Sequence, residues 1–370
     1  MVNPVVDDPD PAVSAARQVV GLYGDPGVSW SIVLALTVLD PLERAAVALA
    51  LDALFAEYPH LGRRGELGAF PDGHEAEVAT AFADAPYGDH DPLLRAALAA
   101  DGRVLVVAAH HGAADGLGLL GAAAALSGLD LGSSARGIDR EAQPGGFVRR
   151  AAARLGEALL RPPTRLAVDR TGGPDGDLLL DRTVTVERPG SAALLAGVVA
   201  AVRDWNAAHG ARAGRLVVAM GLSRRPGTPY PPPDRDTAYV RLPATGVDGV
   251  AAAGALIAAT PPEPAFPETD GGGIGPLVAR ALGSRLGATA LVSNLGVVAD
   301  PRVSAVRFWP VPTGPRGVAV GLASTGRATT LTVRIRARWC TPGDAEEVAD
   351  LVAERFVAAA GSAAPQEGPQ

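Results

Sequence analysis

The residues with the clearest chemical spacing lie together in His110-His111-Gly112-Ala113-Ala114-Asp115-Gly116. A histidine titrates near neutral pH, so it can take a proton from a reacting group and later return it. Asp115, four residues after His111, supplies a nearby anion. Gly112 and Gly116 let the chain turn sharply. Two other readings compete. A histidine pair can simply cap a strand end. A His/His/Asp metal site needs convergent ligands, but adjacent strand residues point to opposite faces, so no metal is expected.

The elements around this segment must hold it rigidly. Arg103 to Ala109 reads as a buried strand that runs into the motif, and a helix from about Gly116 to Leu126 follows, ending near Gly128. A short helix is predicted over Pro92 to Ala100, then an Asp101-Gly102 turn. Trp30 to Val38 is an apolar, β-branched run, hence a strand. Asp40-Pro41-Leu42-Glu43 should open a helix, with Asp40 as cap and Glu43 closing a capping box. Val47, Leu51, Leu54 and Tyr58 then recur at helical spacing toward a core.

Further along, Phe147 to Arg161 reads as helical, and Asp169 to Gly176 is the strongest linker. Leu178 to Glu187 is extended, Ser191 to His209 is a helix capped by Ser191, and Leu216 to Leu222 is a strand. Pro226 to Asp236 is too rich in proline for a core element. Helices are predicted over Val247 to Ala259 and Gly275 to Leu286. Strands are predicted at Ala290 to Ser293, Val303 to Phe308, Gly317 to Ala323 and Thr329 to Arg338, and a last helix from Thr341 to about Ala360. Strands and helices mix in both halves, so the chain divides into two α/β units. The expected partition is an N-terminal lobe over 1–165, a crossover over 166–186, a C-terminal lobe over 187–360 and a disordered tail over 361–370.

Composition bounds the function. The chain has 370 residues and a net charge of -7, which argues against a general nucleic-acid binder. It contains no lysine, so all 33 basic residues are arginine. One cysteine, Cys340, excludes an intrachain disulfide. The start, MVNPVVDDPDP, lacks the basic and apolar regions of a signal peptide. No apolar run approaches the ~20 residues of a membrane helix. A soluble, cytoplasmic protein is expected.

The motif resembles the HHxxxDG signature of the acyltransferase superfamily that contains peptide-synthetase condensation domains, chloramphenicol acetyltransferase, polyketide-associated acyltransferases and wax ester synthases. Its setting, PLLRAALAADGRVLVVAAHHGAADGLGLL, is similar to the family's order of elements. ALALDALFAEYPHLGRR resembles the first long helix, LVVAMGLSRRPG the strand ending in an arginine, and LVSNLGVV a segment of stand-alone members. The likeness spans roughly residues 28 to 358.

The resemblance implies two chloramphenicol acetyltransferase-like α/β lobes in a V-shaped pseudo-dimer, with the site in the tunnel between them. One chain then supplies both lobes, which favours a monomer. His111 is the implied general base. It takes the proton of a small-molecule alcohol or amine as that atom attacks a thioester, and the thiol of coenzyme A or phosphopantetheine leaves. The donor substrate is thus an acyl-CoA or an acyl carrier protein, with no bound cofactor. Asp115 is expected to pair with an arginine, Arg224 first and Arg225 second. His110 fills the strand end, Gly116 permits close backbone approach, and Ser293 or Asn294 lines the channel near the developing oxyanion. The Asp-Phe-Gly-Trp-Gly latch of assembly-line condensation domains is absent. A stand-alone acyltransferase of natural-product biosynthesis is therefore the expected function. A carrier-to-carrier condensation enzyme and a catalytically silent carrier-binding homologue are the alternatives.

Weaker signals carry bland readings. Arg150, Arg154 and Arg161 share a helix face that would suit phosphates but is more simply solvated. Gly271-Gly272-Gly273-Ile274-Gly275 matches neither a dinucleotide fingerprint nor a P-loop. No Gly-x-Ser-x-Gly elbow is present. Trp205 and Trp309 are expected in the core, and Cys340 is expected to be inert.

Overall fold

The structure is a computed structural model and describes residues 8–21, 29–135, 147–168, 175–186, 189–211, 214–225, 230–263, 287–312 and 317–362. Two mixed sheets organise the chain. The first contains β1 (Ser31–Val38), β2 (Leu67–Phe70), β3 (Leu94–Ala99), β4 (Val104–His110) and β9 (Val303–Trp309), in the order β2-β3-β4-β1-β9. The second contains β5 (Asp177–Val184), β6 (Val218–Ser223), β7 (Thr237–Leu242), β8 (Ala290–Val298), β10 (Val318–Thr325) and β11 (Thr329–Arg336), in the order β5-β11-β10-β8-β6-β7. Helices cover both sheets. They are α1 (Pro11–Gly21), α2 (Arg44–Glu57), α3 (Glu75–Asp84), α4 (Gly116–Ser127), α5 (Phe147–Leu160), α6 (Ser191–Ala208), α7 (Val250–Ala259) and a last helix, α8 (Pro342–Ser362).

β1 reads as an unbroken apolar run because both of its faces are covered. Ile32, Leu34 and Leu36 pack with Leu51 and Leu54 of α2 and Leu119 of α4, whereas Val33 and Ala35 pack with Ala79 and Ala83 of α3. β4 follows the same rule, with Leu105, Val107 and Ala109 on the α4 side and Val106 and Ala108 on the α3 side. A second core joins α6 and α8 to β8, β10 and β11, through residues such as Leu194, Val198, Val292, Val320, Val333 and Phe356. Trp205 and Trp309 are buried, as expected.

Several expectations need correction. Pro92 to Ala100 is not a helix. Its leucines and alanines favour one, but Leu94–Ala99 forms β3, paired to β2 on one side and β4 on the other, and its small side chains fit beneath α3. Asp40 does not cap α2, which begins at Arg44 with Glu43 in the cap position and no side-chain cap bond. The preceding residues are committed elsewhere: Leu39 N–H bonds to the Arg302 carbonyl and Leu42 N–H to that of Gly102. Ser191 is the first residue of α6, behind Gly190 in the cap position, and makes no cap bond. β8 extends past Ser293 to Val298. α8 runs through Gly361 and Ser362, where a disordered tail was expected to begin. The helix predicted over Gly275 to Leu286, the glycine run 271–275, most of the linker 169–176 and the rest of the tail lie outside the described residues.

Two strands tie the sheets into one body. β5, from the expected crossover, forms the edge of the second sheet against β11. β9, from the C-terminal half, leaves that half and pairs with β1 of the first sheet. At the seam Trp309 Nε1 donates to the Leu180 carbonyl at 3.0 Å. Arg334 of β11 is fully buried there. Its Nε donates to Asp177 at 2.6 Å, and its terminal nitrogens donate to the Ser31 carbonyl at 2.6 Å and the Ala83 carbonyl at 3.3 Å. One guanidinium thus joins β11 and β5 to β1 and α3. Removing it leaves the Asp177 carboxylate buried beside a single remaining cation, Arg336, at 3.1 Å. Arg334→Met should therefore lower stability by about 3–5 kcal/mol, measured by equilibrium urea unfolding; a loss within about 0.5 kcal/mol would show that the tie is dispensable.

Candidate active site

β4 delivers the motif to the boundary between the sheets. Because strand residues alternate, the two histidines diverge. His110 is buried and faces Tyr87, edge to face at 5.1 Å between ring centroids. Its Nδ1 accepts the Gly112 N–H at 3.1 Å. Burial first, then the nearby His111, lowers its pKa to about 4. His110 is thus a packed, neutral residue.

His111 faces the other way, into the space between the sheets. Its backbone N–H donates to the Trp30 carbonyl at 2.7 Å. Trp30 has a φ of 55°, a left-handed value that costs a bulky residue about 1–3 kcal/mol and turns that carbonyl toward the motif. The Nδ1 of His111 lies 3.2 Å from the Ala114 carbonyl. A carbonyl only accepts, so Nδ1 carries the hydrogen and Nε2 presents its lone pair. Nε2 receives the hydroxyl of Tyr239, on β7. Burial is the main force on the His111 pKa and lowers it to about 4. Arg235 adds to this, while the Ala114 carbonyl and Asp115 oppose it. Its surroundings thus hold this imidazole below the near-neutral value expected from sequence.

Asp115 points away from His111 and caps α4, accepting the Gly118 N–H at 2.8 Å. The same carboxylate accepts from the Arg225 guanidinium at 3.0 and 3.1 Å, from the Asp236 N–H at 2.8 Å and from the Thr237 hydroxyl. The arginine is therefore Arg225, not Arg224. Arg225 is buried, whereas Arg224 is exposed and contributes its backbone N–H to the Asp236 carbonyl. One residue along an extended chain reverses the side-chain direction, which spacing alone does not resolve.

Arg225 also binds Asp234, in the segment that sequence reading set aside as too irregular for a core. Residues 231–234 lie across α4. A Cβ at Gly118 would sit 2.0 Å from the Asp234 carbonyl oxygen, and one at Gly121 would sit 2.1 Å from that of Pro231. Only glycine lets the two backbones approach so closely. Gly116 makes room for something else: its Cβ would meet the Phe308 ring at 2.8 Å, so a side chain rather than backbone fills the space.

His111 opens on a cavity of about 110 Å³, room for roughly three or four waters. Both sheets line it, with Ile32 and Phe308 from the first and Ser223, Tyr239, Ser293 and Asn294 from the second. Ser293 and Asn294 both line this cavity. The Asn294 side chain is already engaged, since it accepts the Gly296 N–H at 2.8 Å and donates to Ser191 Oγ at 3.2 Å. Ser293 is the freer candidate to meet a negative oxygen. Tyr239 went unrecognised in the sequence, although Thr237, Tyr239 and Arg241 alternate with the buried Ala238, Val240 and Leu242. Among the described residues no cluster of His, Cys, Asp or Glu is placed to hold a metal ion. Cys340 is buried outside the site, its thiol pushed up to about 12 by burial.

Solved structures share this architecture. The first condensation domain of the calcium-dependent antibiotic synthetase matches with a TM-score of 0.60 and 18% identity, over 94% of this chain and 96% of that one. The starter condensation domain of rhizomide synthetase, in complex with C8-CoA and Leu-SNAC, matches with a TM-score of 0.57 and 14% identity, over 96% and 94%. An epimerization domain of tyrocidine synthetase B matches with a TM-score of 0.51 and 15% identity, over 90% and 92%. No known protein-family pattern matches the sequence, and no curated protein matches it. The fold is that of the condensation domains of peptide synthetases: two α/β lobes, here with His111 between them. No helix among the described residues is long and apolar enough to cross a membrane.

The ion pair gives a direct test. Arg225→Ala should cost about 3–5 kcal/mol, because it leaves the buried Asp115 charge without its cation. Arg224→Ala should stay within about 0.5 kcal/mol of the parent. Equal effects in urea unfolding would contradict the assignment.

Proposed function

We propose that the protein is an acyltransferase that moves an acyl group from a thioester to a hydroxyl or amine, with His111 as general base. The observation that carries this reading is the His111 imidazole at the cavity between the lobes, its Nδ1 hydrogen on the Ala114 carbonyl and its Nε2 lone pair turned to the Tyr239 hydroxyl. The fold supports it, since a neighbour of the same architecture was crystallised with C8-CoA and Leu-SNAC.

The residues divide the work as follows. An acceptor O–H or N–H gives up its proton toward Nε2 as its heteroatom attacks the thioester carbonyl. Nδ1–H stays on the Ala114 carbonyl, so the imidazolium forms without turning the ring. Asp115 favours that cation from behind, while its own oxygens keep the loop in place. Ser293 offers a hydroxyl to the oxygen that gains charge. The tetrahedral intermediate then expels the thiol, which recovers the proton from Nε2. The donor is an acyl-CoA or an acyl carrier protein, and the acceptor is a small alcohol or amine. The reaction belongs to natural-product biosynthesis.

Thiol release from acyl thioesters, on coenzyme A and on carrier protein, tests the reading. Wild type should release thiol only when an acceptor is supplied, and His111→Ala should be slower by about 10²–10⁴-fold. Release from carrier-bound donors with carrier-bound acceptors alone would move the assignment to a carrier-to-carrier condensation enzyme. Carrier binding without any release would move it to a silent homologue.

The pH profile is a second test. A group with a depressed pKa stays unprotonated until the pH falls close to that value. The acid limb of kcat/KM should therefore lie well below 6.5, toward about 4, with a plateau through neutrality. An acid limb near 6.5 would mean that a solvated histidine does the work.

A further inference from the structure

An incoming acceptor must reach His111 through Nε2, because Nδ1 is committed to the Ala114 carbonyl. That lone pair already receives the Tyr239 hydroxyl. The rings lie edge to face, with centroids 6.3 Å apart and planes at 89°. The phenol thus approaches the nitrogen at the ring edge, where the lone pair lies. One lone pair does not serve two donors. Either Tyr239 withdraws at each turnover, or the proton passes through it.

The surroundings of Tyr239 favour passage. It sits on β7 between two anchors that share its strand face. On one side Thr237 donates to Asp115, and the adjacent Asp236 N–H does the same. On the other, Arg241 donates to the Gly287 carbonyl at 2.9 Å and to Glu157 at 2.7 Å. The Tyr239 carbonyl itself accepts the Glu263 N–H at 2.7 Å, and β7 is laddered to β6 through Gly221. An anchored backbone keeps the base of the phenol side chain in one place beside the imidazole. This one is fixed by the same carboxylate that fixes the histidine loop. A phenol oxygen can accept one proton while it donates another.

We propose that Tyr239 is a catalytic residue that relays the acceptor's proton to His111. The proposal rests on the acyl-transfer reading above and deepens it. In the first step the acceptor heteroatom bonds to the thioester carbon, and the carbonyl π pair moves onto oxygen. The acceptor's proton passes to the phenol oxygen as the phenol's own proton passes to Nε2. Tyr239 is neutral before and after, and His111 becomes the imidazolium. In the second step the carbonyl re-forms and the C–S bond breaks. The sulfur leaves with its electron pair and takes a proton back along the same path. Both residues end as they began.

The experiment compares wild type, Tyr239→Phe, His111→Ala and the double variant. The probe is octanoyl coenzyme A or an octanoyl carrier protein, whichever releases thiol faster, with one amine or alcohol acceptor. Tyr239→Phe keeps the ring and its packing and removes only the oxygen. Its kcat should fall by about 10²-fold or more, while the donor KM stays within about twofold. The double variant should be no slower than His111→Ala, because both residues serve one proton path. In mixtures of H₂O and D₂O the wild-type rate should vary along a curve, as two protons move together, and the Tyr239→Phe rate should vary along a straight line. A Tyr239→Phe enzyme as fast as wild type or faster, with His111→Ala inactive, overturns the relay and leaves His111 as base. A His111→Ala enzyme of wild-type rate overturns the acyl-transfer mechanism itself.

Discussion

The Asp115 carboxylate takes hydrogen bonds from Gly118, Arg225, Asp236 and Thr237, and these belong to three separate stretches of chain. A carboxylate buried among fewer partners would be costly. Here each partner also has a task. Gly118 lies in the first turn of α4, Arg225 follows the strand β6, and Thr237 begins β7. The carboxylate therefore sets the histidine loop and the second sheet's edge strand in one frame. His111 and Tyr239 meet because both are built outward from that point.

The buried pair of Arg334 and Asp177 plays a similar part at the seam. Apolar residues of like volume in place of both partners often hold such a space at no greater cost, whereas removing one partner strands the other. What a charged pair supplies is a unique geometry. Arg334 reaches backbone carbonyls of β1 and α3 at fixed directions, so the sheets meet at one angle. The cavity between them is small, and a shift of an ångström there would separate the base from the atoms it serves.

Much of this was legible from residues alone. The motif stood out because two histidines, an aspartate and glycines fall where a buried strand meets a helix, and the apolar periods of β1, β4 and α2 were plain. The failures have physical causes. Leu94 to Ala99 has helix-favouring composition, and only its neighbours on both sides make it a strand. Arg224 and Arg225 differ by one position, and facing is decided by where the chain leaves β6. Tyr239 carried a readable alternation, but it followed a proline-rich stretch whose packing against Gly118 and Gly121 no local pattern reveals. The contact that matters most at the base joins residues 111 and 239, and sequence separation of that kind is invisible to spacing.

The strand exchange has a consequence for how the protein is made. β1 pairs with β4 on one side and with β9 on the other. The first partner emerges from the ribosome soon after β1. The second emerges only after the chain has passed Trp309. At ordinary elongation rates the interval is about 10–50 s. Throughout it one edge of an apolar central strand has no neighbour, a state that invites pairing with another nascent chain. The lobe that carries the histidines is thus made before its last strand and closes only once β9 has emerged, and its yield in a foreign host should depend on how well that edge is shielded during translation.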